Sequence, residues 1–166
     1  MELLTGQPEQ EAIKWMNEAA KVATRALCLN AKCGAVIVKD GEIIGAGYNA
    51  PPLDQAENRM CVLTSDPAAL ARRGKPKYDF TCCLHAEWRA ILDALKRNAN
   101  KIEGAKLYFV RVDETGHIKK SGQPYCTACS RLALDVGLDK FLLWHEKGIG
   151  EYPTDEYNRL SYEYRP

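Results

Sequence analysis

Residues 33–48 read CGAVIVKDGEIIGAGY. Val36, Ile37 and Val38 form a short β-branched run, and Asp40-Gly41 is a two-residue hairpin signal. Ile43 to Tyr48 then reads as the returning strand. Upstream, Pro8 to Leu29 predicts a helix. Pro8 suits a first-turn position, and Ile13, Met16, Ala19, Ala20 and Ala23 recur at three and four. Trp15 lies off that stripe, as if to pack on a neighbouring element or a subunit. Downstream the reading is a helix over His85–Arg97, a strand over Lys106–Val112 and a helix over Cys126–Val136 stopped by Gly137. A fourth strand covers Lys140–His145, Gly148–Pro153 turns the chain, and Thr154 caps a last short helix reaching Tyr164. Strands alternating with helices after an opening hairpin predict a layered α/β fold.

At 166 residues the chain suits one domain, 1–166, with an insertion at about 50–80 and a short helical tail at about 146–166. Lys plus Arg is 23 against 22 Asp plus Glu, which argues against a protein built to grip a nucleic-acid backbone. No apolar run approaches the roughly 20 residues of a membrane span. Met1 to Gln10 is polar and acidic without a signal-peptide core, so a cytoplasmic protein is expected. Seven cysteines (28, 33, 61, 82, 83, 126 and 129), an odd number without an export signal, speak against a disulfide framework. Asn49 to Phe80 holds four prolines and the basic cluster Arg72, Arg73, Lys75 and Lys77, with a short helix expected over Asp66–Arg73. So long a loop inside a compact domain is usually functional.

Three fragments carry chemistry: His85-Ala86-Glu87, Cys126-Thr127-Ala128-Cys129, and Tyr48-Asn49. Cysteines three apart on a helix share one face, and a helix N-terminus favours thiolates, the form that binds metal. With His85 they make three ligands, leaving a tetrahedral zinc one position for water. Two thiolates cancel much of the metal's charge, so the water needs a base, and Glu87 is the candidate. Glu87 and His85 are two apart and converge only if the metal lies off the helix end. Other readings stand beside this one. Cys126 and Cys129 also fit a redox pair, or a structural zinc closed by Cys82 or Cys83. Cys61 with Cys82 or Cys83 offers a second metal site. Asn49 before Ala-Pro-Pro fits a turn. The basic cluster and Arg89 are phosphate candidates or a solvated charge run. Tyr125 adjoins a ligand and is a candidate for the pocket wall. The tyrosines at 152, 157, 162 and 164 suit a subunit contact, a fold over the site, or packing on their own domain.

His-x-Glu with Pro-Cys-x-x-Cys is the signature of zinc deaminases acting on nucleobases. From about Pro8 to His145 the chain resembles the cytidine and deoxycytidylate deaminase superfamily. Residues 33–38 and Gly47-Tyr48-Asn49-Ala50-Pro51-Pro52, with the insertion before His85, most resemble its deoxycytidylate branch. The resemblance implies a three-layer α/β/α fold around a mixed sheet of four or five strands, the opening ones antiparallel and the later ones parallel. It implies Zn2+ on His85, Cys126 and Cys129, Glu87 shuttling protons, and Asn49 on the sugar. The Ala86 and Cys126 amides would hold the pyrimidine carbonyl. The implied reaction is hydrolytic loss of the exocyclic amine from a small cytosine nucleotide or nucleoside, dCMP or CMP foremost, in a homo-oligomer. The alternatives are a polynucleotide or purine deaminase, or a non-catalytic zinc protein. Three departures mark this chain: Pro124 stands one residue further from Cys126 than usual, Trp88-Arg89 follows the His85 motif where the branch commonly has an asparagine second, and the tail from Glu146 is short.

Overall fold

The computed structural model describes residues 1–29, 31–59, 82–120 and 122–165. Six strands form one sheet: β1 (Glu2–Leu3), β2 (Lys32–Lys39), β3 (Glu42–Tyr48), β4 (Lys106–Val112), β5 (Lys140–His145) and β6 (Gly148–Pro153). Their order is β1-β6-β5-β4-β2-β3. Four α-helices are seen among the described residues: α1 (Gly6–Ala23), α2 (Ala86–Asn98), α3 (Thr127–Asp135) and α4 (Thr154–Glu163). The alternation along each strand explains the layers. Val36, Val38, Tyr108 and Val110 face α1 through Met16 and Ala19. Ala35, Ile37, Leu107 and Phe141 face the opposite way, onto Ile91 of α2, Ala133 of α3 and Tyr157 of α4. The expected three-layer α/β/α arrangement is therefore present.

The sheet differs from expectation in two ways. Among the described residues it has six strands rather than four or five, and β4–β5 is the one parallel pair, since β5–β6 and β1–β6 run antiparallel. Gly148, Gly150 and Pro153 look like turn punctuation, yet this segment is β6. The turn is only Glu146-Lys147, Ile149 and Tyr152 are buried, and hydrogen-bonding neighbours on both sides supply the ladder. Gly150 has a packing reason: a Cβ there would lie 2.8 Å from the His145 ring. β1, two residues long, is below what periodicity can register.

The helix read over Pro8–Leu29 runs over Gly6–Ala23, because the Leu27 N–H donates to the Asn49 carbonyl and draws the following segment to the end of β3. Trp15 is 5% exposed within the layer between α1 and the sheet, its Nε1 donating to Glu11. Thr154 does not cap α4. Pro153 takes that place, and the Thr154 hydroxyl is buried inside the first turn. The helix read over Asp66–Arg73 lies outside the described residues.

Glycine is required at two places that position the site. Lys39 pairs with Glu42 across Asp40 (φ 50°) and Gly41 (φ 75°), the left-handed pair that a tight two-residue hairpin requires. At Gly47 a Cβ would lie 2.2 Å from the Ala86 carbonyl and 2.3 Å from the Ala90 nitrogen. The α2 backbone thus lies directly on β3, with His85 and Glu87 at its leading end. Gly47→Ala is expected to lower the unfolding free energy by about 1–3 kcal/mol through overpacking. The check is urea denaturation against the wild type, read as a lower midpoint at an unchanged slope.

Candidate metal centre and active site

Two helix N-termini build the centre. His85 is the N-cap residue of α2, with extended backbone (φ −67°, ψ 152°), so its ring projects beyond the first turn. Its carbonyl accepts the Arg89 N–H at 3.1 Å. Cys126 is the N-cap residue of α3 and its sulfur accepts the Cys129 N–H at 3.3 Å, one of the donors that a helix start leaves unpaired. Cys129, three residues on, is fully buried. His85 Nδ1 stands 3.1 Å from Cys129 Sγ and 3.4 Å from Cys126 Sγ. All three donor atoms lie within 4.8 Å of one another.

This donor set fits zinc. Nitrogen and sulfur ligands of a tetrahedral zinc stand roughly 3.5 Å apart, given bond lengths of about 2.0 and 2.3 Å. Among the described residues no further side chain joins the cluster, so three protein ligands leave a fourth position open. Cys82 and Cys83 have their sulfurs 3.7 Å apart and stand outside the triad. Cys61, the proposed companion of a second site, lies outside the described residues, as does the basic cluster Arg72, Arg73, Lys75 and Lys77.

The electrostatics follow from the same contacts. The Cys126 thiol is lowered to about 4, first by its hydrogen bond with Cys129 and then by His85, which keeps it a thiolate. His85 is raised to about 9, chiefly by its bond to Cys126. Burial pushes the Cys129 thiol up. Glu87 sits in the first turn of α2, 5% exposed, and burial raises its carboxyl while His85 beside it acts the other way. His85 is the N-cap residue and not inside the helix, and it lines one cavity with Glu87. At the N-cap its ring escapes the angular spacing that would separate the two side chains on a regular turn.

A cavity of about 410 Å³ opens on this centre, lined by His85, Ala86, Glu87 and Cys126 together with Asn49 and Tyr125. Cys129 lies behind that wall. Asn49 is buried, and its side chain closes β2 against β3: Oδ1 accepts the Cys33 N–H at 2.8 Å and Nδ2 donates to the Ala31 carbonyl at 2.8 Å. Its structural role is therefore a link across the strands and not a local turn, and one amide hydrogen and one lone pair remain for a ligand. Tyr125 is 64% exposed and meets Tyr164 edge to face, ring centres 5.1 Å apart. Arg89 is not a phosphate residue in waiting: Nη2 donates to the Pro51 carbonyl at 2.7 Å and Nη1 pairs with Asp54 at 2.8 Å. It fixes the loop after Asn49 onto α2.

Phe109, Arg111, Lys119, Tyr157 and Tyr164 also line the cavity, and sequence reasoning assigned none of them to the site apart from naming the terminal tyrosines as a group. Arg111 left a signal. It follows Leu107 and Phe109 on the core-facing side of β4, where a charge breaks the pattern.

Comparison with known proteins agrees with this geometry. A deoxycytidylate deaminase of Mycobacterium phage D29 is 31% identical over 128 residues, 74% of this chain and 84% of the phage protein. The Saccharomyces cerevisiae deoxycytidylate deaminase is 35% identical over 83 residues, 48% of this chain but 24% of the yeast protein. Among solved structures, a dCMP deaminase of cyanophage S-TIM5 superposes with a TM-score of 0.54 at 22% identity, covering 82% of each chain. A cytidine deaminase of Burkholderia pseudomallei gives 0.56 at 17% identity, covering 87% of this chain and 94% of the other. These two share the fold. The family model for the cytidine and deoxycytidylate deaminase zinc-binding region matches residues 9–144, a span that holds His85, Glu87, Cys126 and Cys129, and the chain belongs to that family.

Proposed function

We propose that the chain is a zinc-dependent hydrolase that converts the cytosine of a mononucleotide, dCMP or CMP, to uracil with release of ammonia. The observation that carries this reading is Glu87, a buried carboxyl on the cavity wall beside the His85, Cys126 and Cys129 donor atoms. A structural zinc site needs no such group, whereas proton transfer to and from a reacting base does. Supporting the choice of substrate are the name of the phage D29 relative and a cyanophage S-TIM5 dCMP deaminase solved with dCMP and dUMP.

His85, Cys126 and Cys129 would hold the zinc, which supplies Lewis acidity and an activated water when bound. The chain's own groups do the rest. Glu87 takes a proton from the attacking water, delivers it to the ring nitrogen beside the reacting carbon, and then passes a proton to the departing amine. The atoms balance: water enters, the C–N bond breaks, and ammonia leaves as the carbonyl forms. The Ala86 and Cys126 amides, both at helix starts, would hold the base carbonyl, and the remaining Asn49 amide hydrogen would bind the sugar.

Zinc-loaded protein is expected to release ammonia from dCMP or CMP. Glu87→Gln should lower kcat by about 10²–10⁴-fold while keeping its zinc, since the carboxyl is not a ligand. Full activity in Glu87→Gln, or silence on every cytosine substrate from protein with its zinc confirmed, would overturn the reading. Cys129→Ala should lose bound zinc by atomic absorption and lower Tm, because metal binding free energy is part of folding free energy at such a site. Chelation of the wild type should do the same, and added zinc should restore both activity and Tm.

A further inference from the structure

We infer that Arg111 and Lys119 form the site that reads the 5′-phosphate of the nucleotide. The inference rests on the deaminase reading and names the part of the cavity that separates a nucleotide from a nucleoside. Apart from His85, they are the two cationic side chains among the described residues that line the cavity.

Register sets Arg111 where it stands. Arg111 pairs directly with Cys33 across β2 and β4, so the two side chains share one face of the sheet. On that face β4 carries Leu107 and Phe109, which pack on the core. Arg111 occupies the next position of the alternation, where the core gives way to the cavity mouth. An apolar residue would continue the pattern. Cys33, Glu87 and Arg111 line the same cavity, so a cytosine ring directed at Glu87 leaves its sugar and phosphate to the rest of the lining, Arg111 included.

Lys119 is brought beside Arg111 by the backbone. The chain folds back after β4 through the Val112–Ile118 bridge, and the Lys119 N–H donates to the Arg111 carbonyl at 2.8 Å. Both side chains are exposed, and among the described residues neither engages an ion pair or a side-chain hydrogen bond. Acids close by are committed elsewhere. Glu114 pairs with Lys32, and Asp113 accepts from Thr115 and His117. Two cations match the roughly −1.5 to −2 charge of a phosphate monoester at neutral pH. The guanidinium can take two phosphate oxygens at once, and the lysine adds a mobile point charge.

The experiment compares dCMP with deoxycytidine. In steady-state assays, Arg111→Gln and Lys119→Gln should each lower the ratio of kcat/KM for dCMP over deoxycytidine by about 10- to 100-fold, chiefly through KM. Arg111→Lys should recover part of the loss. Equilibrium titration of zinc-loaded Glu87→Gln protein, which binds without turnover, should show the same collapse when Arg111→Gln is added. Inorganic phosphate should compete with dCMP and cease to do so in the double variant. An equal loss on both substrates would mean a structural role and overturn the proposal. So would an unaltered ratio, or a parent enzyme that handles deoxycytidine as well as dCMP, and in those cases deamination itself still stands. If no cytosine compound is turned over or bound, the deaminase reading falls first and the phosphate site with it.

Discussion

The molecule turns on the contact between bare backbone at Gly47 and the first turn of α2. Two helices can aim their N-termini at one metal-sized volume only if each is set against the sheet within a fraction of an ångström. Gly47 removes the side chain that would hold α2 away, and the Ala86 carbonyl would stand 2.2 Å from any Cβ placed there. The approach fixes the position of His85, and with it the distance to the sulfurs carried by α3. It also presses Glu87 out of solvent, because a helix so close to the sheet leaves no water layer beneath its first turn. Metal geometry, burial of the acid and the shape of the cavity thus share one steric origin.

Around that contact the polar groups divide their work. Asn49 uses most of its amide to hold the ends of β2 and β3 together, and Arg89 ties the following loop through Pro51 and Asp54. Tyr48 joins the same network, its hydroxyl donating to Asp54 at 2.6 Å and its ring lying under Arg25 and Arg89. None of these residues needs to touch a reacting atom. They fix the segment after β3 against β2 and α2, and of them Asn49 also lines the cavity.

Much of this was legible in the sequence where local chemistry and global placement agree. The hairpin announced itself because Asp40-Gly41 has one good conformation, and β4 and β5 because their apolar runs are bounded by turn residues. The candidate ligands His85, Cys126 and Cys129 were legible because metal binding admits few residue types and few spacings, and Glu87 because it stands two residues from His85. What escaped depends on partners distant in sequence. β6 contains two glycines and a proline and is a strand only because β5 and β1 flank it. Arg89 invites a phosphate from its charge alone, and its engagement with Asp54 is a tertiary fact. The cavity walls from β4 and from the tail could not be assigned before the sheet order was known, since strands adjacent in space, β2 and β4, are separated by the whole of α2 and the segment before it.

The sheet order also divides the cavity between early and late parts of the chain. His85, Cys126 and Cys129 all lie within the first 129 residues, as do β2, β3 and β4, which are neighbours in the sheet between α1 and α2. Tyr157 and Tyr164, which wall the cavity, and β6, which must pair with residues 2 and 3, come last. Contacts that span nearly the whole chain form slowly, because loop closure precedes their reward. The metal donors and the strands beneath them are thus drawn from the earlier part of the chain, while two of the tyrosines that wall the cavity are drawn from its last ten residues.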